Sequence, residues 1–85
     1  MILMERKIVV KSTVGIHASL AAKVVQTASR YSVDIDLHYH DKVVDVKSIL
    51  GLMSLAIPQG ENVVVVATGD QAEAAINAIA ELLEK

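Results

Sequence analysis

The chain has 85 residues, 53% of them hydrophobic, and its aromatic residues are Tyr31 and Tyr39; this predicts a single domain, residues 1–85, with one core built from Val, Ile, Leu and Ala and little room for a deep enclosed active site. It has no cysteine, which excludes disulfides, thiolate metal sites and cysteine nucleophiles. The formal net charge is −2 and the lysines and arginines are scattered without forming a stripe, so nucleic-acid binding is not expected.

In chain order, Met1-Ile2-Leu3-Met4 is too short for a secretory h-region and is followed at once by charged residues. Glu5 to Lys11, centred on Ile8, Val9 and Val10, predicts a first strand. Ser12-Thr13-Val14-Gly15 breaks the pattern, with Gly15 suited to a tight approach into the next element. From His17 to Arg30, Ala18, Ala21, Ala22, Val25 and Ala28 recur at spacings of three and four, which predicts one apolar helical face. Val33 to Tyr39 alternates apolar and polar residues, the pattern of a half-buried strand. His40-Asp41-Lys42 turns the chain into a return strand, Lys42 to Val46.

Ser48 to Leu55 predicts a short helix starting at a good N-cap residue, and Pro58-Gln59-Gly60 punctuates its end. Asn62 to Thr68 is a near-continuous valine run, expected at the centre of the sheet. Its apolar core, Val63 to Ala67, falls far short of the roughly 20 residues that span a bilayer, so a cytoplasmic protein without membrane insertion is expected. Asp70, with Glu73 three residues on, resembles a capping box for a last helix. Ala72, Ala75, Ile76, Ile79, Leu82 and Leu83 form the buried face of that helix, and Lys85 complements its negative end. The expected fold is α+β, in the order β-α-β-β-α-β-α: a four-stranded, mostly antiparallel sheet with three helices on one face and the other face open to solvent.

Two constellations could carry chemistry. In the first, Gly15 precedes a histidine, His17, that begins a helix. The first amides of a helix lack internal partners and carry partial positive charge, so an anion is welcome there. A phosphoryl group on the imidazole would be stabilised by that end, by roughly 0.3–1 kcal/mol. The same local pattern equally suits a histidine that only caps the helix. In the second, Ser48 begins a helix too short to bury Ile49, Leu50, Leu52, Met53 and Leu55 on one stripe. Some of these should be exposed as an adaptable docking surface. A phosphate on Ser48 would add about −1.5 to −2 charges at a helix start that tolerates them, although in isolation the residue reads as an ordinary N-cap. Asp36, His38 and His40, expected on one strand face, could hold a transition metal weakly; two imidazoles at a hairpin end with no further ligand are usually plain surface residues, and no metal or other cofactor is expected.

Together, Gly15-Ile16-His17-Ala18 with Ala21-Ala22, the run from Lys47 to Leu55 and the element order resemble HPr, the histidine-containing phosphocarrier of the bacterial sugar phosphotransferase system. The resemblance covers about Glu5 to Leu83 and implies an open-faced β-sandwich. It implies that His17 accepts a phosphoryl group through Nδ1 from enzyme I, which takes it from phosphoenolpyruvate, and passes it to the IIA domains of sugar permeases. It implies that Ser48 matches the serine modified by HPr kinase/phosphorylase, a form that assists catabolite control protein A. It further implies that Ile49, Leu50 and Met53 match the partner-docking patch, and that the protein is a monomer.

The family's His-Ala-Arg-Pro reads His17-Ala18-Ser19-Leu20 here. Charge-assisted hydrogen bonds to phosphate are about twice as strong as neutral ones, and Ser19 cannot supply that charge. Leu20 restores an N–H that proline lacks. The expected phosphate cradle is therefore the backbone of Ala18, Ser19 and Leu20 with the Ser19 hydroxyl. A regulatory relative acting through Ser48 is the alternative reading. An enzyme with its own turnover is not expected, since no acid–base partner or P-loop accompanies His17. An unrelated metallochaperone would need the cysteine pair this chain lacks.

Overall fold

A computed structural model describes residues 2–85. The elements are β1 (Leu3–Val9), α1 (Ala18–Ala28), β2 (Asp34–Tyr39), β3 (Lys42–Asp45), α2 (Ile49–Ser54), β4 (Asn62–Thr68) and α3 (Ala72–Leu83). The strands form one antiparallel sheet in the order β1-β4-β2-β3. The valine run of β4 is thus central. Its burial alternates, however, because only one face of the sheet is covered.

The covered face presents Ile8, Ile35, Leu37, Val63, Val65 and Ala67 to the helices. Leu20, Ala21, Val24 and Ala28 of α1, Leu52 of α2 and Ile76, Ile79 and Leu83 of α3 complete the same apolar cluster. Burying each large aliphatic side chain contributes roughly 1.5–3 kcal/mol, and the buried layer contains no polar or charged residue among those described. The opposite face is open. Its register aligns Glu5 with Val66, Asp36 and Asp45 in one row, and Lys7 with Val64, His38 and Val43 in the next.

Several local expectations are corrected. Strand β1 begins at Leu3 and ends at Val9, ahead of the expected span, because its whole length pairs with β4 from Thr68 back to Asn62. The buried stripe of α1 is rotated toward Leu20 and Val24; Ala18 is exposed and Ala22 and Val25 are half-buried. The larger side chains win the core contacts over the alanines. The N-cap of α3 is Gln71, with no capping side-chain bond, so the Asp70–Glu73 capping box does not form. Buried Ala80 replaces Leu82 on that helix face, and Leu82 is only half-buried. Lys85, just past the C-terminal end of α3, also pairs with Glu81, Nζ to Oε1 at 3.3 Å. Finally, His40 leaves the strand: it turns the hairpin with φ 55° and lies outside the β2–β3 ladder. It therefore does not extend a face shared by Asp36 and His38. Among the described residues no group of three or more potential ligands is placed to hold a metal ion, and no helix is long and apolar enough to cross a membrane.

Candidate functional site

His17 is the N-cap of α1, in extended conformation with φ −94° and ψ 177°. Its carbonyl accepts from the Ala21 amide at 2.8 Å, and its Nδ1 accepts from the Ser19 amide at 3.2 Å. A ring nitrogen that accepts a hydrogen bond is unprotonated, so the neutral imidazole carries its proton on Nε2. The lone pair that caps the helix is thus that of Nδ1. The ring lies on the surface, as do Ala18 and Ser19. The Leu20 side chain, by contrast, belongs to the core, which leaves only its amide to face an anion.

The loop before His17 hangs on a second loop. Ile16, buried at the edge of the core, donates its amide to the Ile57 carbonyl at 2.9 Å. Gly15 has φ +70°, and a Cβ there would fall onto the Ile57 carbonyl oxygen and within 2.9 Å of Pro58 Cα. Only glycine allows both the left-handed conformation and this backbone approach. Sequence reading gave Gly15 a tight approach but did not name its neighbour. The isolated Pro58 was the one local signal of a stiff partner.

Ser48 caps α2: its Oγ accepts from the Gly51 amide at 3.0 Å and its carbonyl from the Leu52 amide at 3.1 Å. Gly51 keeps Ser48 and Val44 close, since a Cβ on it would meet both at 3.3 Å. Helix α2 packs between α1 and β3, and Lys47 Nζ donates to the Tyr31 carbonyl just beyond α1 at 2.9 Å. Leu52 and Leu55 turn inward. Leu50 is 82% exposed, and Ile49 and Met53 are also on the surface. Val14, one residue before Gly15, adds another exposed apolar side chain that the sequence reading passed over.

Charge is sorted between stretches of the chain. From Val10 to Val33 and from Val46 to Gly60, the stretches that carry His17, α1, Ser48 and α2, the charged side chains are Lys11, Lys23, Arg30 and Lys47. Every aspartate and glutamate lies elsewhere, on the strands, on α3 and in the turns beside them. Away from these helices, Tyr39 Oη donates to Glu61 Oε1 at 2.8 Å and His40 Nε2 lies 3.9 Å from the same oxygen. The Glu61 carboxylate that accepts the hydrogen bond, together with desolvation, raises the pKa of Tyr39 above the ordinary 10.0.

The family described as PTS HPr component phosphorylation site matches residues 4–85. The chain superposes on the phosphocarrier protein HPr of Bacillus anthracis with a TM-score of 0.93 and 35% identity, over 98% of this chain and 99% of that one. With HPr-C-His of Thermoanaerobacter tengcongensis the TM-score is 0.90 and the identity 44%, over 95% and 91% of the two chains. It is also similar to the Bacillus subtilis catabolite repression protein Crh, described as a domain-swapped dimer, with a TM-score of 0.76 and 37% identity over 92% and 90%.

Proposed function

The chain belongs to the HPr family of the phosphotransferase system, and from that premise we propose that it carries a phosphoryl group on Nδ1 of His17, received from enzyme I and delivered to sugar-permease IIA domains. The observation that carries this reading is the Ser19 amide on Nδ1. It engages the nitrogen as an acceptor and aims it at the positive end of α1. In the transfer, the Nδ1 lone pair attacks phosphorus and forms the N–P bond. The bond from phosphorus to the donor breaks, and its electron pair leaves with the donor. No proton has to leave Nδ1. The Ser19 amide, released from the lone pair, turns to a phosphoryl oxygen, joined by the Ser19 hydroxyl and the Ala18 and Leu20 amides. Such neutral donors hold the group less tightly than a guanidinium would, which suits a carrier that must release it.

Partners dock as a monomer's surface would present itself: Ile49, Leu50 and Met53 supply apolar contact beside an acid-free, lysine- and arginine-bearing flank. This favours acidic partner surfaces around an apolar centre. The test is incubation with enzyme I and labelled phosphoenolpyruvate, with His17→Ala as control. The expected result is label on the wild type alone, lost in acid and kept in base. A folded wild type that takes no label would sink the reading.

A second reading has its own support in the similarity to Crh, the departure at Ser19-Leu20 and the Ser48 cap. In it, HPr kinase/phosphorylase modifies Ser48 and the product serves catabolite control protein A. Loss of repression in cells after Ser48→Ala, but not after His17→Ala, would favour it.

A further inference from the structure

We propose that Pro58 is a positioning residue for phosphoryl transfer: it stiffens the loop from which the His17 segment is suspended. This rests on the reading of His17 as the acceptor. The two segments are joined at both ends. Ile16 N–H donates to Ile57 O at 2.9 Å, Gln59 Nε2 to Lys11 O at 3.4 Å, Gly60 N–H to Val10 O at 2.7 Å and Val10 N–H to Glu61 O at 3.0 Å. The two ends of the segment between β1 and α1, Val10-Lys11 and Ile16, are thus tied to residues 57–61, while the Lys11 amide is held by the Leu83 carbonyl of α3.

At the centre of that reference stands the chain's single proline. Its ring is exposed, so core packing does not explain it. Two backbone effects remain. Proline fixes its own φ, and it confines the preceding residue to extended conformations. The preceding residue is Ile57, whose carbonyl both accepts the Ile16 amide and abuts Gly15. Restricting Ile57 fixes the direction of that carbonyl, and hence the height and tilt of the backbone that presents His17. The first turn of α1 has no proline of its own, because Leu20 stands there. Rigidity absent from the helix start is supplied across the loop contact. Reactive geometry is sensitive to displacements on the order of 1 Å, so loosening Ile57 should slow transfer while leaving docking on α2 intact.

The test compares wild type, Pro58→Ala and Pro58→Gly by amide hydrogen exchange and by phosphorylation kinetics with enzyme I. In Pro58→Gly, exchange at the Ile16 amide should quicken about tenfold, and by clearly more than at Val65 in central β4, which reports global opening. The turnover at saturating carrier should fall roughly three- to tenfold with KM within about twofold of wild type, since orientation and not docking is lost. Pro58→Ala should fall between. Equal acceleration at Ile16 and Val65, or unchanged turnover in Pro58→Gly, would overturn the proposal. If the wild type itself takes no label from enzyme I, the carrier reading fails. The positioning claim is then decided by Ile16 exchange and by the rate of His17 phosphorylation with phosphoramidate, which needs no partner.

Discussion

At the scale of single residues, the candidate site depends on who accepts and who donates. His17 caps its helix through Nδ1, the nitrogen to which the proposed function gives the chemistry, so on that proposal the cap bond would break each time a phosphoryl group arrived. With Ser19 and Leu20 after His17-Ala18, the proposed phosphate cradle has backbone amides and a hydroxyl where the family pattern has a side-chain cation. Elsewhere, Tyr39 offers a pH marker. Its pKa is raised in the fold by the hydrogen bond to Glu61, so the protonated phenol is favoured in the native state. The stabilisation is fully present below the unfolded tyrosine value and is lost as pH rises through the higher folded-state value. The melting temperature of the wild type should therefore drop more steeply above about pH 10 than that of Tyr39→Phe, with parallel profiles near neutrality. Thermal denaturation by circular dichroism across that range checks this, and parallel profiles throughout would refute it.

At the scale of elements, α2 is a short helix with a strong start and an awkward end. Ser48 and Gly51 make the start; the end passes through Ala56, a non-glycine residue with φ 49°. The left-handed conformation costs an L-residue roughly 1–2 kcal/mol, and glycine escapes most of that at the expense of some unfolded-state entropy. Ala56→Gly should accordingly stabilise the protein by about 0.5–1 kcal/mol, measurable by urea denaturation; a destabilised variant would contradict the assignment of strain.

The elements differ in how legible they were. The valine run of β4 was legible as a central strand and the alternation of β2 as a strand with one wet face, because a period of two admits little else; the order β1-β4-β2-β3 was not. The Ser48 cap was legible from its residue type and helix length required some apolar side chains of α2 to be exposed, but which ones, Ile49, Leu50 and Met53, came from the family resemblance and not from the pattern. The face of α1 was misjudged because alanine satisfies almost any stripe, while Leu20 and Val24 choose the real one. The Asp70 cap failed because the chain after Gly69, φ +141°, enters α3 through Gln71. Ile57 and Pro58 were out of reach, since their partner lies more than forty positions away along the chain.

At the scale of the whole molecule, the dominant feature is the sorting of charge. The flank that carries His17 and Ser48 holds Lys11, Lys23, Arg30 and Lys47 and no acidic residue, while the open sheet face lines up Glu5, Asp36 and Asp45 in one row. Attraction between exposed charges decays over a Debye length of about 10 Å at 0.1 M salt and about 3 Å at 1 M. The association rate with enzyme I should therefore fall about tenfold or more from low to high salt, with a smaller change in dissociation; stopped-flow kinetics would show it, and a salt-independent rate would remove electrostatic steering.

The same sorting separates what the molecule is on average from what it is in any one direction. With a net charge of −2 it is an anion to a bulk measurement such as electrophoresis. Seen from the flank of α1 and α2 it is a cation, and a surface that selects that flank can adsorb it against the sign of its isoelectric balance. Both cationic and anionic chromatographic resins thus have a face to hold, and retention reports orientation as much as charge.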